Sequence, residues 1–209
     1  MMREPQLTRT ILDLFAAGTE TTSSALRWAI VYLIHNPDIQ EKMRQEIYSV
    51  VGSSQVPKLH HQQNMPYTEA VLAEIQRCGE IVPLSIFHGV DKETKFHGFR
   101  IPKDAIITPN LDSVLSESKE FLEPQKFEPS RFLDEDGNFR YRQHSIPFSI
   151  GRRVCLGESL AKAEMFLFLT AIVQRFTFAP EGKKPPSTEP IVGSTRAPKR
   201  FKFRAMSVL

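Results

Sequence analysis

The sequence predicts a mainly α-helical protein with small β-sheets, an α+β fold within one domain. Apolar residues recur at helical spacing in four stretches, residues 7–35, 37–51, 66–78 and 158–176. Short runs of β-prone residues, separated by glycines and prolines, lie at residues 85–90, 95–100 and 105–108. The chain has 209 residues, which is enough for one domain with a sizeable core.

The composition is that of an ordinary globular chain. Hydrophobic residues make up 41% and charged residues 24%, so the sequence does not predict disorder. A net charge of +3 is too small to favour a nucleic-acid partner. The two cysteines, Cys78 and Cys155, cannot make a disulfide framework, which favours a reducing compartment. No apolar run is long enough to span a membrane, and residues 1–5 show no signal-peptide core.

The first predicted helix, residues 7–35, is unusual at its centre. Residues 16–22 place a glycine and four polar side chains in mid-helix. Gly18 costs about 1 kcal/mol relative to alanine there, and threonines can bond back to a carbonyl four residues earlier and bend the helix. Two interpretations stay open: a polar stripe that faces solvent, or a groove in which the acid–alcohol pair Glu20–Thr21 lies beside a ligand.

The second helix has clear end signals. We expect Asn36 to cap it, while Pro37 suits its first position and Gly52 suits its end. The two histidines that follow, His60 and His61, are expected to be solvated loop residues.

Pro66 opens the third helix, in which Glu74 and Arg77 stand three residues apart and therefore share a face. On this spacing alone, the ordinary interpretation is a solvated pair worth roughly a few tenths of a kcal/mol. Beyond the predicted strands, residues 112–118 are expected to form a short helix. Residues 119–144 are polar and irregular.

The end of the chain combines a basic tail and an apolar helix. Residues 183–190 are expected to form a loop, and residues 191–203 a strand or hairpin. A solvated face is the ordinary explanation for the cations of the tail, which are Arg196, Lys199, Arg200, Lys202 and Arg204. The last helix, residues 158–176, is apolar on most sides, so we expect it to be buried nearly all round.

The chain is organised around residues 148–157, directly before that helix. Cys155 stands between two glycines, follows two arginines and precedes a helix start, where unpaired backbone N–H groups favour a thiolate. A thiolate can be a nucleophile or a soft metal ligand, although a lone cysteine near a helix is more often an inert apolar residue. No histidine base lies close in sequence, and zinc-ligand spacing is absent. One thiolate with two arginines and a glycine turn suits an anionic cofactor.

These residues match the pattern F-x-x-G-x-R-x-C-x-G at every fixed position and resemble the cysteine-ligand loop of the cytochromes P450. Residues 17–22 are similar to the distal-helix motif of that family. Glu74 and Arg77 match its E-x-x-R motif, and Arg131 lies in a segment similar to P-x-R-F. In the family these three side chains form a buried structural network. The motifs occur in the same order as in the family, and the sequence is most like that of the family 2 enzymes of animal microsomes.

The resemblance implies the C-terminal half of the cytochrome P450 fold, with haem b as the cofactor. Cys155 is the implied iron ligand through its thiolate. Arg153 and His88 would contact the haem propionates. The other residues implied to contact haem are Phe148, Gly151, Leu156, Gly157, Ala17 and Gly18.

The resemblance also implies two catalytic side chains and an apolar substrate pocket. Thr21 would donate a hydrogen bond to dioxygen, and Glu20 would relay protons. The residues implied to line the substrate pocket are Phe15, Ala16, Val82, Ser85, Ile86 and Thr195. Phe87 and Cys78 depart from common family usage, which leaves the shape of this pocket open.

The implied activity is that of a haem-thiolate monooxygenase, which inserts one oxygen atom from O2 into an apolar organic substrate. Electrons would come from NADPH through cytochrome P450 reductase, which would dock near Arg152, with cytochrome b5 as a further partner. The implied location is the cytosolic face of the endoplasmic reticulum membrane. Two alternatives stay open: a haem-thiolate isomerase, which the Glu20–Thr21 pair disfavours, and a truncated fragment that is inactive or only binds a partner.

A complete domain of this family is much longer than this chain. We therefore expect residues 1–209 to be the C-terminal part of a single haem domain, without its N-terminal half and membrane anchor. The first and last helices would then expose an apolar patch that the other half covers. The chain alone is expected to be inactive.

Overall fold

The computed structural model describes residues 4–208 and confirms the α+β fold class. The helices are α1 (Glu4–His35), α2 (Pro37–Val50), α3 (Pro66–Gly79), α4 (Leu111–Leu115) and α5 (Glu158–Arg175). Short 3-10 helices occupy Leu59–Asn64, Pro129–Phe132 and Gly151–Arg153. All four long helices form within a few residues of their predicted ends.

Within the described residues, the strands pair in antiparallel fashion as four two-stranded sheets. They are β1 (His88–Gly89), β2 (Thr94–Phe96), β3 (Phe99–Ile101), β4 (Ile106–Ile107), β5 (Phe176–Pro180), β6 (Pro190–Val192), β7 (Arg196–Pro198) and β8 (Phe203–Ser207). The pairs are β1 with β4, β2 with β3, β5 with β8, and β6 with β7. The predicted hairpin of the tail is therefore β6–β7. Strand β8 pairs instead with β5, and the sequence analysis did not predict β5.

The ends of α2 agree with two of the three sequence signals. Pro37 takes the first helical position, and Gly52 has a φ of +86°, a conformation that glycine adopts without strain. The expectation for Asn36 is wrong, because its side chain makes no capping bond to α2. Its Nδ2 instead donates to the carbonyl of Tyr32 over 2.8 Å and closes the end of α1.

The main core lies where α2, α3 and α5 pack against the second half of α1. Its fully buried apolar side chains include Ala29, Leu33, Met43, Ile47, Met65, Val71, Ile75, Phe166 and Val173. Two buried polar residues of α2 join this core to the end of α5 and to β5. Gln40 accepts from the amide of Phe178 over 2.7 Å, and Arg44 donates to the carbonyl of Val173 over 3.1 Å.

The expectation that α5 is buried nearly all round is wrong. Leu160 is 58% exposed and Phe168 is 53% exposed, because α1, α2 and α3 pack against the helix from one side. The N-terminal half of α1 also carries exposed apolar side chains, and Phe15 there is 71% exposed. Among residues 4–208, no helix combines the length and the apolarity that crossing a bilayer requires.

Candidate functional site

The cysteine segment, residues 148–157, folds as a tight loop that leads into α5. The amide of Cys155 donates to the carbonyl of Phe148 over 3.0 Å, and the amide of Val154 donates to the carbonyl of Gly151 over 3.1 Å. Gly151 has a φ of +77°, which favours glycine at this position. These contacts close the loop and fix Cys155 just before the first turn of α5.

The side chain of Cys155 is exposed, and it lies among apolar side chains that are exposed as well. Leu156 is 86% exposed, and Ile150 and Val154 also face outward. A Cβ added at Gly157 would lie 3.9 Å from the Cys155 Sγ, an ordinary van der Waals contact. The loop thus presents an exposed thiol with exposed apolar side chains in the same segment.

Cations suited to carboxylates lie in the same loop. Arg152 and Arg153 are exposed, and neither forms an ion pair within residues 4–208. His88 is half-buried in β1, where it pairs with Ile107. No group of three or more His, Cys, Asp or Glu side chains in the described chain could hold a metal ion. The exposed thiol of Cys155 and the exposed guanidinium groups of Arg152 and Arg153 suit an anionic group bound at this loop.

The polar centre of α1 keeps its hydrogen bonds within the helix. Thr21 Oγ1 donates to the carbonyl of Ala17 over 2.8 Å, and Glu20 accepts from Ser24 Oγ over 3.3 Å. A Cβ added at Gly18 would meet no atom within 4 Å. Over residues 4–208, no hydrogen bond connects Glu20 or Thr21 with the cysteine segment. Glu20 is exposed and Thr21 is half-buried.

Glu74, Arg77 and Arg131 lie together. Arg77 Nε donates to Glu74 Oε2 over 2.7 Å, and Arg131 Nε donates to Glu74 Oε1 over 3.1 Å. Arg77 Nη1 also donates to the carbonyl of Leu115 over 2.9 Å. The interpretation of Glu74 and Arg77 as a solvated pair is wrong, since both are buried.

The same network sets the ionisation of its members. Burial opposes the charge of Arg77, but its hydrogen bonds to Glu74 outweigh this and raise the pKa of the guanidinium. Burial also raises the pKa of the Cys78 thiol, and the Glu74 carboxylate raises it further. Cys78 is consequently an un-ionised thiol near neutral pH.

The residues expected at the substrate lie in three segments. Phe15 and Ala16 are exposed on α1, and Ile86 is exposed after α3, where Val82 and Ser85 are half-buried. Thr195 is half-buried in the turn between β6 and β7. The second and third segments are joined directly, because the amide of Arg196 donates to the carbonyl of Ile81 over 2.8 Å.

Arg196 corrects the expectation of a solvated basic tail. Its side chain is only 23% exposed, and it forms ion pairs with Glu80 and with Asp112, the latter over 2.9 Å. Sequence reasoning missed this cluster because the partners lie 116 and 84 residues away along the chain. No local spacing links such residues.

Comparison with known proteins agrees with the motifs. The cytochrome P450 family profile matches residues 1–205. The chain is 47% identical over 189 residues to cytochrome P450 2H1 of Gallus gallus, which covers 90% of this chain and 38% of the relative. It is 43% identical over 196 residues to cytochrome P450 2E1 of Oryctolagus cuniculus, covering 93% of this chain and 40% of the relative. Cytochrome P450 2J5 of Mus musculus is 48% identical over 177 residues, which cover 85% of this chain and 35% of the relative.

The resemblance to family 2 is thereby confirmed, and the chain spans about two fifths of the length of these relatives. The family match extends over nearly every residue, and the exposed Cys155 lies in the segment that carries the family pattern. The chain belongs to the cytochrome P450 family.

Proposed function

We propose that residues 1–209 are the C-terminal part of a single haem domain of a monooxygenase. The enzyme inserts one oxygen atom from O2 into an apolar organic substrate. The observation that carries this proposal is the exposed thiol of Cys155, placed before α5 among exposed apolar side chains in a member of the cytochrome P450 family. A thiolate ligand is the feature that distinguishes these haem proteins from the histidine-ligated ones.

The chain's residues divide the binding of haem b between them. Cys155 holds the iron, and Arg153 and His88 bind the propionates, for which a guanidinium offers paired donors. The apolar contacts come from the cysteine segment and α1, through Phe148, Gly151, Leu156, Gly157, Ala17 and Gly18. When bound, the haem supplies the activation of dioxygen.

Glu20 and Thr21 supply protons. A threonine hydroxyl has one proton to donate and two lone pairs to accept, so Thr21 can receive a proton while it donates another. In the structure it donates to the carbonyl of Ala17. The exposed carboxylate of Glu20 can exchange protons with water and is held one residue away on α1.

The substrate class follows from the side chains of the pocket. Phe15, Ala16, Val82 and Ile86 offer apolar surface, whereas Ser85 and Thr195 offer single hydroxyl groups. Such a lining favours a small apolar organic molecule with few polar groups.

The remaining partners are those of microsomal relatives. Electrons come from NADPH through cytochrome P450 reductase, with cytochrome b5 as a second donor, and the exposed Arg152 is a contact for an acidic partner surface. The protein works at the cytosolic face of the endoplasmic reticulum membrane. The exposed apolar faces of α1 and α5 contact the N-terminal part of the haem domain.

A second candidate is an inactive fragment that binds haem poorly or binds only a partner. The uncovered apolar residues of α1 and α5, such as Phe15 and Phe168, favour it for the isolated 209-residue chain. A haem-thiolate isomerase is disfavoured, because such an enzyme needs no Glu20–Thr21 pair.

The test is the absorption spectrum of the chain, expressed with haem, reduced and exposed to carbon monoxide. A strongly red-shifted Soret band is expected, which Cys155→Ala abolishes and Cys78→Ala retains. If the band appears only when the N-terminal half of a matched relative is supplied, the site needs that half. Absence of the band in both preparations, or its persistence in Cys155→Ala, overturns the ligand assignment.

A further inference from the structure

Arg196 joins three segments that are far apart in the sequence. Its Nη1 contacts the carboxylates of Glu80 and Asp112. Glu80 is buried and ends α3, whereas Asp112 lies in the first turn of α4. Arg196 itself belongs to β7. We call these three residues the Arg196 clasp.

Backbone contacts hold the same segments together. The amide of Arg196 donates to the carbonyl of Ile81 over 2.8 Å, and the amide of Asp112 donates to the carbonyl of Pro83 over 3.1 Å. On the side of α1, Trp28 Nε1 donates to the carbonyl of Arg196 over 3.1 Å. The amide, the carbonyl and the guanidinium of Arg196 are all engaged, so hairpin β6–β7 cannot shift without breaking contacts at this residue.

Glu80 is held in an unusual backbone conformation. Its φ is +41°, a region that residues other than glycine rarely adopt. Such a conformation persists only where the surrounding contacts impose it. The carboxylate of Glu80 accepts from Ser116 Oγ over 2.9 Å as well as from Arg196, so both of its oxygens are bonded. The clasp therefore fixes the direction in which the chain leaves α3.

Two segments of the proposed substrate pocket begin at the clasp. Val82, Ser85 and Ile86 follow Glu80 closely, and Thr195 directly precedes Arg196. The carbonyl of Thr195 accepts from the amide of Gly193 over 3.1 Å, which closes the turn of the hairpin. The carboxylate contacts of Arg196 thus lie beside the starts of both segments, together with the bond from its amide to Ile81.

We propose that Arg196 is a positioning residue that sets the spacing between Thr195 and residues 82–86, and so the size of ligand accepted beside the haem. The inference rests on the proposed function, which places these residues at the substrate. Arg196 acts through the hairpin, because its guanidinium is occupied by Glu80 and Asp112.

The test compares Arg196→Gln and Arg196→Lys with the control Lys199→Gln in the haem-loaded protein. Lys199 lies in the same tail and pairs with the exposed Glu189. Its replacement by glutamine removes one positive charge, as Arg196→Gln does. The probes are imidazole and 4-phenylimidazole, which bind haem iron through a ring nitrogen, shift the Soret band and need no electrons. The measured quantity is the ratio of the Kd of 4-phenylimidazole to that of imidazole.

If Thr195 moves away from residues 82–86, 4-phenylimidazole loses contacts that the smaller imidazole does not make. We expect Arg196→Gln to raise this ratio about threefold or more, Arg196→Lys to raise it less, and Lys199→Gln to leave it unchanged. Both Kd values changing by one common factor would indicate a general structural role and overturn the proposal. So would an unchanged ratio in Arg196 variants that keep a normal carbon monoxide band.

Two further outcomes are separable. If Arg196→Gln does not bind haem, the same Kd ratio is measured in Arg196→Lys and Asp112→Asn. Arg196→Lys keeps the positive charge, and Asp112→Asn keeps the contact between Arg196 and Glu80. If the unmodified protein shows no thiolate band either alone or with the N-terminal half of a matched relative, the proposed function has failed, and the clasp is tested by amide hydrogen exchange in residues 190–198. Faster exchange in Arg196→Gln than in Lys199→Gln supports the clasp, and equal exchange overturns it.

Discussion

Arg77 donates from both Nε and Nη2 to the carboxylate of Glu74, over 2.7 and 2.8 Å, within one turn of α3. Both side chains are buried, with exposed fractions of 1% and 0%. The pair extends outward, since Glu74 also accepts from Arg131 and from the amide of Glu128. It thereby anchors the irregular chain that runs from α4 toward the cysteine segment.

Glu74→Gln should lower the free energy of unfolding by about 3–5 kcal/mol, because it leaves the buried guanidinium of Arg77 and the partly buried one of Arg131 without their counter-charge. Urea denaturation measures this value. The matched control is Glu41→Gln, which removes the exposed partner of Arg44 and should cost at most about 1 kcal/mol. Equal losses in the two variants would contradict a special role for the buried pair.

The two cysteines should differ in reactivity toward iodoacetamide at pH 8. Only the thiolate reacts, and burial together with the Glu74 carboxylate raises the pKa of Cys78, whereas Cys155 is exposed at a helix start. We expect labelling of Cys155 in the haem-free folded protein, protection of Cys155 by haem, and labelling of Cys78 only in urea. Peptide mass spectrometry assigns the sites. Labelling of Cys78 in the folded protein, or of Cys155 despite bound haem, would count against the assignment.

Local signals in the sequence predicted most of the helices and turns. Pro37 and Gly52 mark the ends of α2 because proline and glycine have intrinsic backbone preferences. Asn36 did not behave as its type predicts, because the carbonyl of Tyr32 lay within reach of its amide. An asparagine side chain that can either accept from the first amides of one helix or donate to the last carbonyls of another cannot be assigned from spacing alone.

Long-range contacts were not predictable in the same way. Phe176 continues the apolar pattern of α5, yet it begins β5 because its partner Ser207 lies at the other end of the tail. In the sequence, Arg196 looks like the other cations of the tail. In the fold it lies beside Glu80, which is distant along the chain. The candidate site, in contrast, was predictable from local sequence. A motif of ten residues pointed to Cys155, and the structure added that its surroundings are exposed.

Thr21→Ala should leave haem binding intact and divert electrons to hydrogen peroxide. The control is Thr19→Ala, since Thr19 Oγ1 donates to the carbonyl of Phe15 over 2.7 Å just as Thr21 Oγ1 donates to Ala17 over 2.8 Å. Both variants lose the same helix contact, so their stabilities should match. Peroxide formed per NADPH, measured with reductase and with haem-loaded protein that includes the N-terminal half of a matched relative, should rise severalfold in Thr21→Ala alone. Full coupling in that variant would exclude the relay role.

Glu69 and Glu128 should give stability curves of opposite slope with pH. Burial raises the pKa of Glu69 and nearby Glu46 adds to this, although Gln62 and Lys162 oppose it. Its Oε1 is buried and has no hydrogen-bond partner within residues 4–208. The folded state therefore keeps a proton that the unfolded state has lost, and this group destabilises the fold as pH rises above the unfolded pKa.

The pKa of Glu128 is lowered, chiefly by its hydrogen bond with Lys126, so it stabilises the fold above the unfolded pKa and loses this effect as pH falls through the folded pKa. Glu69→Gln should raise the free energy of unfolding at pH 7, and Glu128→Gln should lower it by at most about 1 kcal/mol. Both differences should shrink toward about pH 4, where glutamates of the unfolded chain take up protons. Urea denaturation between these pH values measures them. A gain in Glu69→Gln that persists unchanged at the acid end would mean that the missing hydrogen bond, and not the buried charge, governs this position.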